Sequence, residues 1–157
     1  MNPSKHCYLF ALEVEPLLVG VGITQLPLHC TIMHRFLSDL EPSDLMKEVQ
    51  SVFRNIKPIL LKSGREEMFG KPVNVIEQSA ELIKLHKSLH DMLIDLPVEF
   101  TAPQWVGNGY TPHVSHQGNI SLPTGTEHTV NAVYLIEVKV PNASGLKFAR
   151  AKFSFIQ

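Results

Sequence analysis

An α+β fold in two similar lobes is what this sequence of 157 residues predicts. Three observations lead there. Short apolar runs bounded by Gly, Pro and Asn read as strands. Two longer segments repeat their apolar residues at helical spacing. Each half of the chain carries one such helix together with one strand-like stretch bearing His-x-Thr or His-x-Ser. A single domain over residues 1–157 is expected, because that length suits one hydrophobic core.

In chain order, residues 6–14 are apolar and aromatic and short enough for a strand, which Glu15-Pro16 closes before a loop around Gly20 and Gly22. Residues 28–37 alternate, with Leu28, Cys30 and Ile32 on one face and His29, Thr31 and Met33 on the other. Ser43 is placed as the N-cap of a first helix whose stripe is Leu45, Val49, Val52, Phe53 and Ile56, and Pro58 ends it. Strands are expected over 59–62 and 72–76. A second helix is expected over 79–94, burying Leu82, Ile83, Leu85, Leu89 and Leu93. Pro97, Pro103, Gly107 and Gly109 mark an irregular connection. Strands over 110–116, 129–140 and 146–156 follow, the last two paired antiparallel across Pro141 to Gly145.

Composition narrows the function classes. Hydrophobic residues are 44% and charged ones 18%, which excludes disorder. A formal net charge of −1 gives no global attraction to polyanions, so any anionic ligand must meet a local basic patch. Cys7 and Cys30, the two cysteines, are too few for a disulfide scaffold or a tetrahedral zinc site and read as buried thiols. The start, MNPSKHCYLF, has no basic region followed by a long apolar segment, and no run approaches a membrane span; a cytoplasmic protein is expected.

The chemistry-bearing stretches are HCTI at His29 to Ile32 and HVSH at His113 to His116. On a strand, residues i and i+2 share a face, so His29 points with Thr31 and His113 with Ser115. Two such strands across a cleft would supply hydroxyl donors for phosphate oxygens. One imidazole would take a proton from the attacking oxygen while the other protonates the leaving oxygen. Histidine suits both roles, since its unperturbed pKa of about 6.5 lies near working pH. Neither a metal nor a covalent nucleophile is required. Against this stands the plainer alternative that both are ordinary surface or core histidines.

The pair of motifs resembles the two His-x-Thr/Ser signatures of the 2H phosphoesterase superfamily, which includes RNA 2',3'-cyclic phosphodiesterases (once named 2'-5' RNA ligases) and 2'-5' phosphodiesterases. The resemblance spans essentially the whole chain. It implies a bilobal fold with two antiparallel sheets around a central cleft and helices outside. It also implies His29 and His113 as the acid–base pair, with Thr31 and Ser115 as phosphate ligands. Ser115 stands where Thr is commoner, and His116 where an apolar residue is usual. The activity implied is cleavage of a phosphodiester in RNA ends, 2'-5' oligonucleotides or cyclic oligonucleotides, by a monomer without cofactor or obligatory protein partner. A nucleotide-binding module of the same fold without turnover is the alternative. ATP-dependent ligation is not expected, since no GxxxxGK[ST] phosphate loop is present.

Tyr110, Trp105 and Phe36 lie near the motifs in sequence and are the candidates for stacking a base, with core or loop packing as the competing account. Lys139, Lys147, Arg150 and Lys152 form a positive cluster that either rims the site or covers a solvated sheet face. His86 and His90 have zinc-compatible spacing but no third ligand, and a solvated helix face is favoured. His34 and His116, at odd spacing from the motif histidines, are expected on the opposite strand face, and His6 and His128 at the surface.

Overall fold

The computed structural model describes residues 5–139 and 145–156. Its strands are β1 (His6–Glu13), β2 (Gly22–Ile23), β3 (His29–Ser38), β4 (Ile59–Met68), β5 (Pro72–Ile76), β6 (Val98–Phe100), β7 (His113–Ser115), β8 (Glu127–Val130), β9 (Ala132–Val138) and β10 (Lys147–Ser154). Helix α1 (Pro42–Phe53) follows β3 and α2 (Ala80–Leu93) follows β5. Among the described residues the strands follow one hydrogen-bonded path, β2-β10-β9-β1-β3-β7-β5-β4-β8, with β6 on the far end of β3. The expected two separate sheets are therefore one. The strand sets β2-β10-β9-β1-β3 and β7-β5-β4-β8 are stitched where β3 meets β7, at the pair Cys30↔Val114.

Strand β1 is buried on both faces, and its alternate residues enter different clusters. Tyr8, Phe10 and Leu12 join Leu45, Val49 and Phe53 of α1 and Leu82, Leu85, Leu89 and Leu93 of α2 in the larger core. Cys7, Leu9 and Ala11 join Tyr134, Ile136 and Val138 of β9 on the other side, covered by Leu17 and Leu26. Both helices thus cover one sheet face, and on the other a smaller apolar cluster borders a cavity that Leu9 and Leu26 help to line.

Several local expectations change. Glu41, not Ser43, precedes α1, and Pro42 opens it because its missing N–H is an orphan there anyway. Ser79 does cap α2, accepting from the Leu82 N–H at 3.2 Å. Ile83 is 52% exposed, one position outside the stripe. Strand β4 continues to Met68 because its second half, from Ser63, pairs with β5, whereas Ile59 to Lys62 pair with β8. The long strand expected over 129–140 is two, since β8 pairs with β4 whereas β9 lies between β1 and β10. The pairing of the last two strands is antiparallel as expected, though most of the turn between them lies outside the described residues.

One irregularity matters for the site. Tyr8 pairs with Phe36, Phe10 with Met33 and Ala11 with Thr31, so β3 twice uses one residue more than β1. These bulges break the two-residue alternation. Ile32 and Met33 are consecutively buried in the helix-side core, and His34 is turned onto the face of Thr31.

Candidate active site

The Cys30↔Val114 pair is where the two motifs meet. In an antiparallel ladder the neighbours of a pair oppose one another, which sets Thr31 beside His113 and His29 beside Ser115. Cys30 and Val114 point into the helix-side core, so all four flanking residues face the other way. They line one cavity of about 360 Å³.

Both rings are locked in the same manner. His29 Nδ1 lies 2.8 Å from the Pro27 carbonyl oxygen, and His113 Nδ1 lies 2.9 Å from that of Thr111. A carbonyl only accepts, so each Nδ1 carries the proton and donates. In the neutral ring each Nε2 is then a lone-pair acceptor. The lock recurs at the same offset, two residues upstream, in both motifs. Burial pulls both pKa values below the ordinary histidine value, and the nearby Lys71 ammonium pushes the same way. A bound phosphate would oppose that shift, because an anion favours imidazolium.

The remaining walls are polar and basic. Arg35, Lys71 and Lys147 line the cavity with Thr24, Gln25 and Gln117, and no carboxylate is among its wall residues. Gln25 Nε2 donates to Gln117 Oε1 at 3.0 Å, joining the loop before β3 to the loop after β7. His34 also lines the cavity, contrary to the alternation expected of a regular strand; the β3 bulges are the reason. Its ring centre lies 6.0 Å from that of His113 and 6.0 Å from that of Trp105. Its Nε2 is buried without a hydrogen-bond partner among the described residues, and burial, with the neighbouring histidines, lowers its pKa to about 4.

The three aromatic candidates separate. Phe36 is fully buried, with Tyr8, Phe10 and Phe100 around its ring, and has no face for a ligand; it belongs to the core. Tyr110 is buried too. Its ring stacks on His86 at 4.1 Å and its hydroxyl donates to the Thr31 carbonyl at 2.8 Å, so it supports the site from behind. Trp105 stands beside His113, with ring centres 6.4 Å apart. Phe69, which the sequence reading passes over, meets His113 edge-on at 5.1 Å and Trp105 at 5.5 Å. It sits at the β4–β5 turn with Lys71, and the early end assigned to β4 hid both.

The other candidates also resolve. His86 is 3% exposed, not on a solvated face. Its Nδ1 donates to the Ile32 carbonyl and its Nε2 accepts from the Gly107 N–H, so neither nitrogen is free to share a metal with His90. Among the described residues no three His, Cys, Asp or Glu side chains gather as a metal site would require. His116 turns away from the cavity onto Asn74. Within the basic cluster, Lys139 and Arg150 pair with Glu137, Lys152 pairs with Glu13, and Lys147 alone reaches the cavity. Both cysteines are buried free thiols, and among the described residues no helix is long and apolar enough to cross a membrane.

No protein-family model matches this sequence, and no curated protein matches it. Solved structures do match in fold. A crystal structure of a phosphoesterase aligns at TM-score 0.66 and 13% identity, covering 97% of this chain and 99% of that one. E. coli LigT complexed with phosphate aligns at TM-score 0.61 and 11% identity, covering 98% and 99%. TT0787 of Thermus thermophilus aligns at TM-score 0.53 and 14% identity, covering 95% and 97%. LigT has also been crystallised with 3'-AMP, with ATP and with NADP+.

Proposed function

We propose that this chain, whose fold is that of the 2H phosphoesterases, is a phosphodiesterase that cleaves RNA 2',3'-cyclic phosphate ends, 2'-5' oligonucleotides or cyclic oligonucleotides. The observation that carries the reading is the matched pair of histidines in one cavity. Each is held by a carbonyl two residues upstream, and each is followed by a hydroxyl residue on the same face.

The Thr31 and Ser115 hydroxyls donate to the non-bridging phosphate oxygens. One imidazole Nε2 accepts the proton of the attacking oxygen, and its partner, arriving as imidazolium, donates a proton from Nε2 to the leaving oxygen. The attacking oxygen forms its bond to phosphorus as the leaving oxygen departs, so proton count and charge balance over the cycle. The Nδ1 locks keep both rings in the orientation this exchange needs.

A panel of 2',3'-cyclic nucleotides, 2'-5' oligoadenylates and cyclic di- and trinucleotides tests the activity. On whichever substrate is cleaved, His29→Ala and His113→Ala should each lower kcat by about 10²–10⁴-fold, and the wild-type rate should follow a bell in pH. Thr31→Ala and Ser115→Ala should cost less, about 1–3 kcal/mol each in the transition state. Wild-type-like turnover in both histidine variants overturns the assignment. Turnover should also be unchanged in excess EDTA, since two imidazoles supply both proton transfers. Activity lost to chelator and restored by zinc or manganese would make the histidines ligands instead.

A further inference from the structure

A groove of about 670 Å³ adjoins the histidine cavity, and we infer that it holds a hydrocarbon group esterified to the scissile phosphate. The inference rests on the phosphodiesterase reading above and extends its substrates beyond nucleotides to phosphodiesters with one alkyl ester. Gln25, Leu26 and Gln117 belong to the walls of both spaces. Pro27, whose carbonyl holds the His29 ring, is a wall residue of the groove, and Gln117 lies two positions after Ser115. The two histidines therefore differ in surroundings, since Phe69 and Trp105 stand against His113.

The wall of the groove decides its occupant. Pro16, Leu17, Leu18, Val21, Ile23 and Ile120 supply most of it, with Leu18 74% and Ile120 55% exposed. Single exposed apolar residues are ordinary, whereas a contiguous set beside a catalytic cavity marks a binding surface. Among its described residues are no aromatic ring, Lys or Arg. Its polar side chains are engaged: Glu15 Oε1 accepts from the Leu28 N–H, and the Gln25 amide donates to Gln117. A nucleobase in the groove would exchange water on its polar edges for no partner, and a second phosphate would meet no cation there. A hydrocarbon gives up no hydrogen bond and takes the apolar wall out of water. The phosphate that carries it stays with Arg35, Lys71 and Lys147 in the neighbouring cavity.

Calorimetry with methyl, butyl and hexyl phosphate, all below their micelle concentrations, tests the groove independently of turnover. Head-group charge is constant along this series, so only the chain changes. Affinity should rise by up to about fourfold per methylene, and by at least about thirtyfold from methyl to hexyl. The heat-capacity change should grow more negative with chain length, and inorganic phosphate should displace every member. Leu18→Ser and Ile120→Ser, both at exposed positions, should weaken hexyl phosphate at least about fivefold more than methyl phosphate. Among substrates, adenosine 3'-(hexyl phosphate) should be cleaved with higher kcat/KM than the methyl ester. In that step the 2'-hydroxyl oxygen bonds to phosphorus and its proton passes to one histidine. The alkanol leaves with the proton of the other, and a 2',3'-cyclic phosphate remains. Affinity independent of chain length overturns the inference. So does hexyl phosphate that inorganic phosphate fails to displace, or an equal loss of both ligands in the variants. A dimer in sedimentation that Leu18→Ser dissociates and hexyl phosphate does not would give the groove to a second copy and overturn it too. Chain-length-dependent binding with no turnover of the esters or of the nucleotide panel supports the groove while removing the hydrolase reading. Turnover of the panel with binding independent of chain length does the converse.

Discussion

His34 sits in surroundings far from those of an ordinary histidine. Its Nε2 is buried without a described partner, and His113, His86 and His29 stand near enough to oppose a positive charge on it. Burial first, then those neighbours, bring its pKa to about 4, whereas the unfolded chain titrates near 6.5. Between those two values the unfolded state binds the proton that the folded state refuses. Stability is therefore complete above about pH 6.5 and declines as pH falls towards 4. His29, His86 and His113 are shifted in the same direction by burial and add to the slope. Urea unfolding followed from pH 7 to pH 4 should show this decline, and His34→Gln should make it shallower. An unchanged slope in that variant would mean His34 titrates normally.

At the scale of elements, a chain of contacts joins α2 to the site through the segment that links β6 to β7. His86 of α2 donates to the Ile32 carbonyl of β3, accepts from the Gly107 N–H and stacks on Tyr110, whose hydroxyl reaches the Thr31 carbonyl. The segment between carries Trp105 on a tight 3₁₀ turn, and Gly109 passes so close to the Gln104 carbonyl that any Cβ there would overlap it. Tyr110→Phe keeps the ring but leaves the Thr31 carbonyl without this donor, at a cost of about 1–3 kcal/mol where that oxygen stays dry. The fluorescence of Trp105, the chain's one tryptophan, reports the segment directly. Thermal unfolding of Tyr110→Phe should begin at lower temperature, with the Trp105 signal changing first. Unfolding indistinguishable from wild type would show the hydroxyl bond to be dispensable.

For the whole molecule, the decisive place is the contact of β3 with β7, where the registered pairing is Cys30↔Val114. Cys30 is fully buried there, and burial pushes its thiol up to about 12. Only thiolate attacks disulfide reagents, so the native thiol should be nearly inert at pH 8. Its reaction with an aromatic disulfide reagent therefore measures opening between the two strand sets. In Cys7→Ala protein, the rate should be slow in buffer and rise only as denaturant unfolds the chain. Fast modification of native protein would mean that the junction opens freely, and the shared cavity with it.

The sequence by itself determined the helices, most of the strands and the two motifs, because these rest on local periodicity: 3.6 residues per turn for Leu82 to Leu93, two for Leu28 to Ile32. It also paired His29 with Thr31 and His113 with Ser115, since neighbours two apart on a strand share a face in any context. Tertiary structure decided what depends on a partner strand. The mismatch in length between β1 and β3 creates the bulges that turn His34 into the cavity, and nothing local in MHRF announces it. The β4–β5 hairpin delivers Phe69 and Lys71, which no motif marks. Phe36 and Tyr110, close to the motifs in sequence, are drawn into the core by the sheet face they occupy. Proximity along the chain fixes a residue's neighbours on its own strand, but strand register and bulges fix which face it shows.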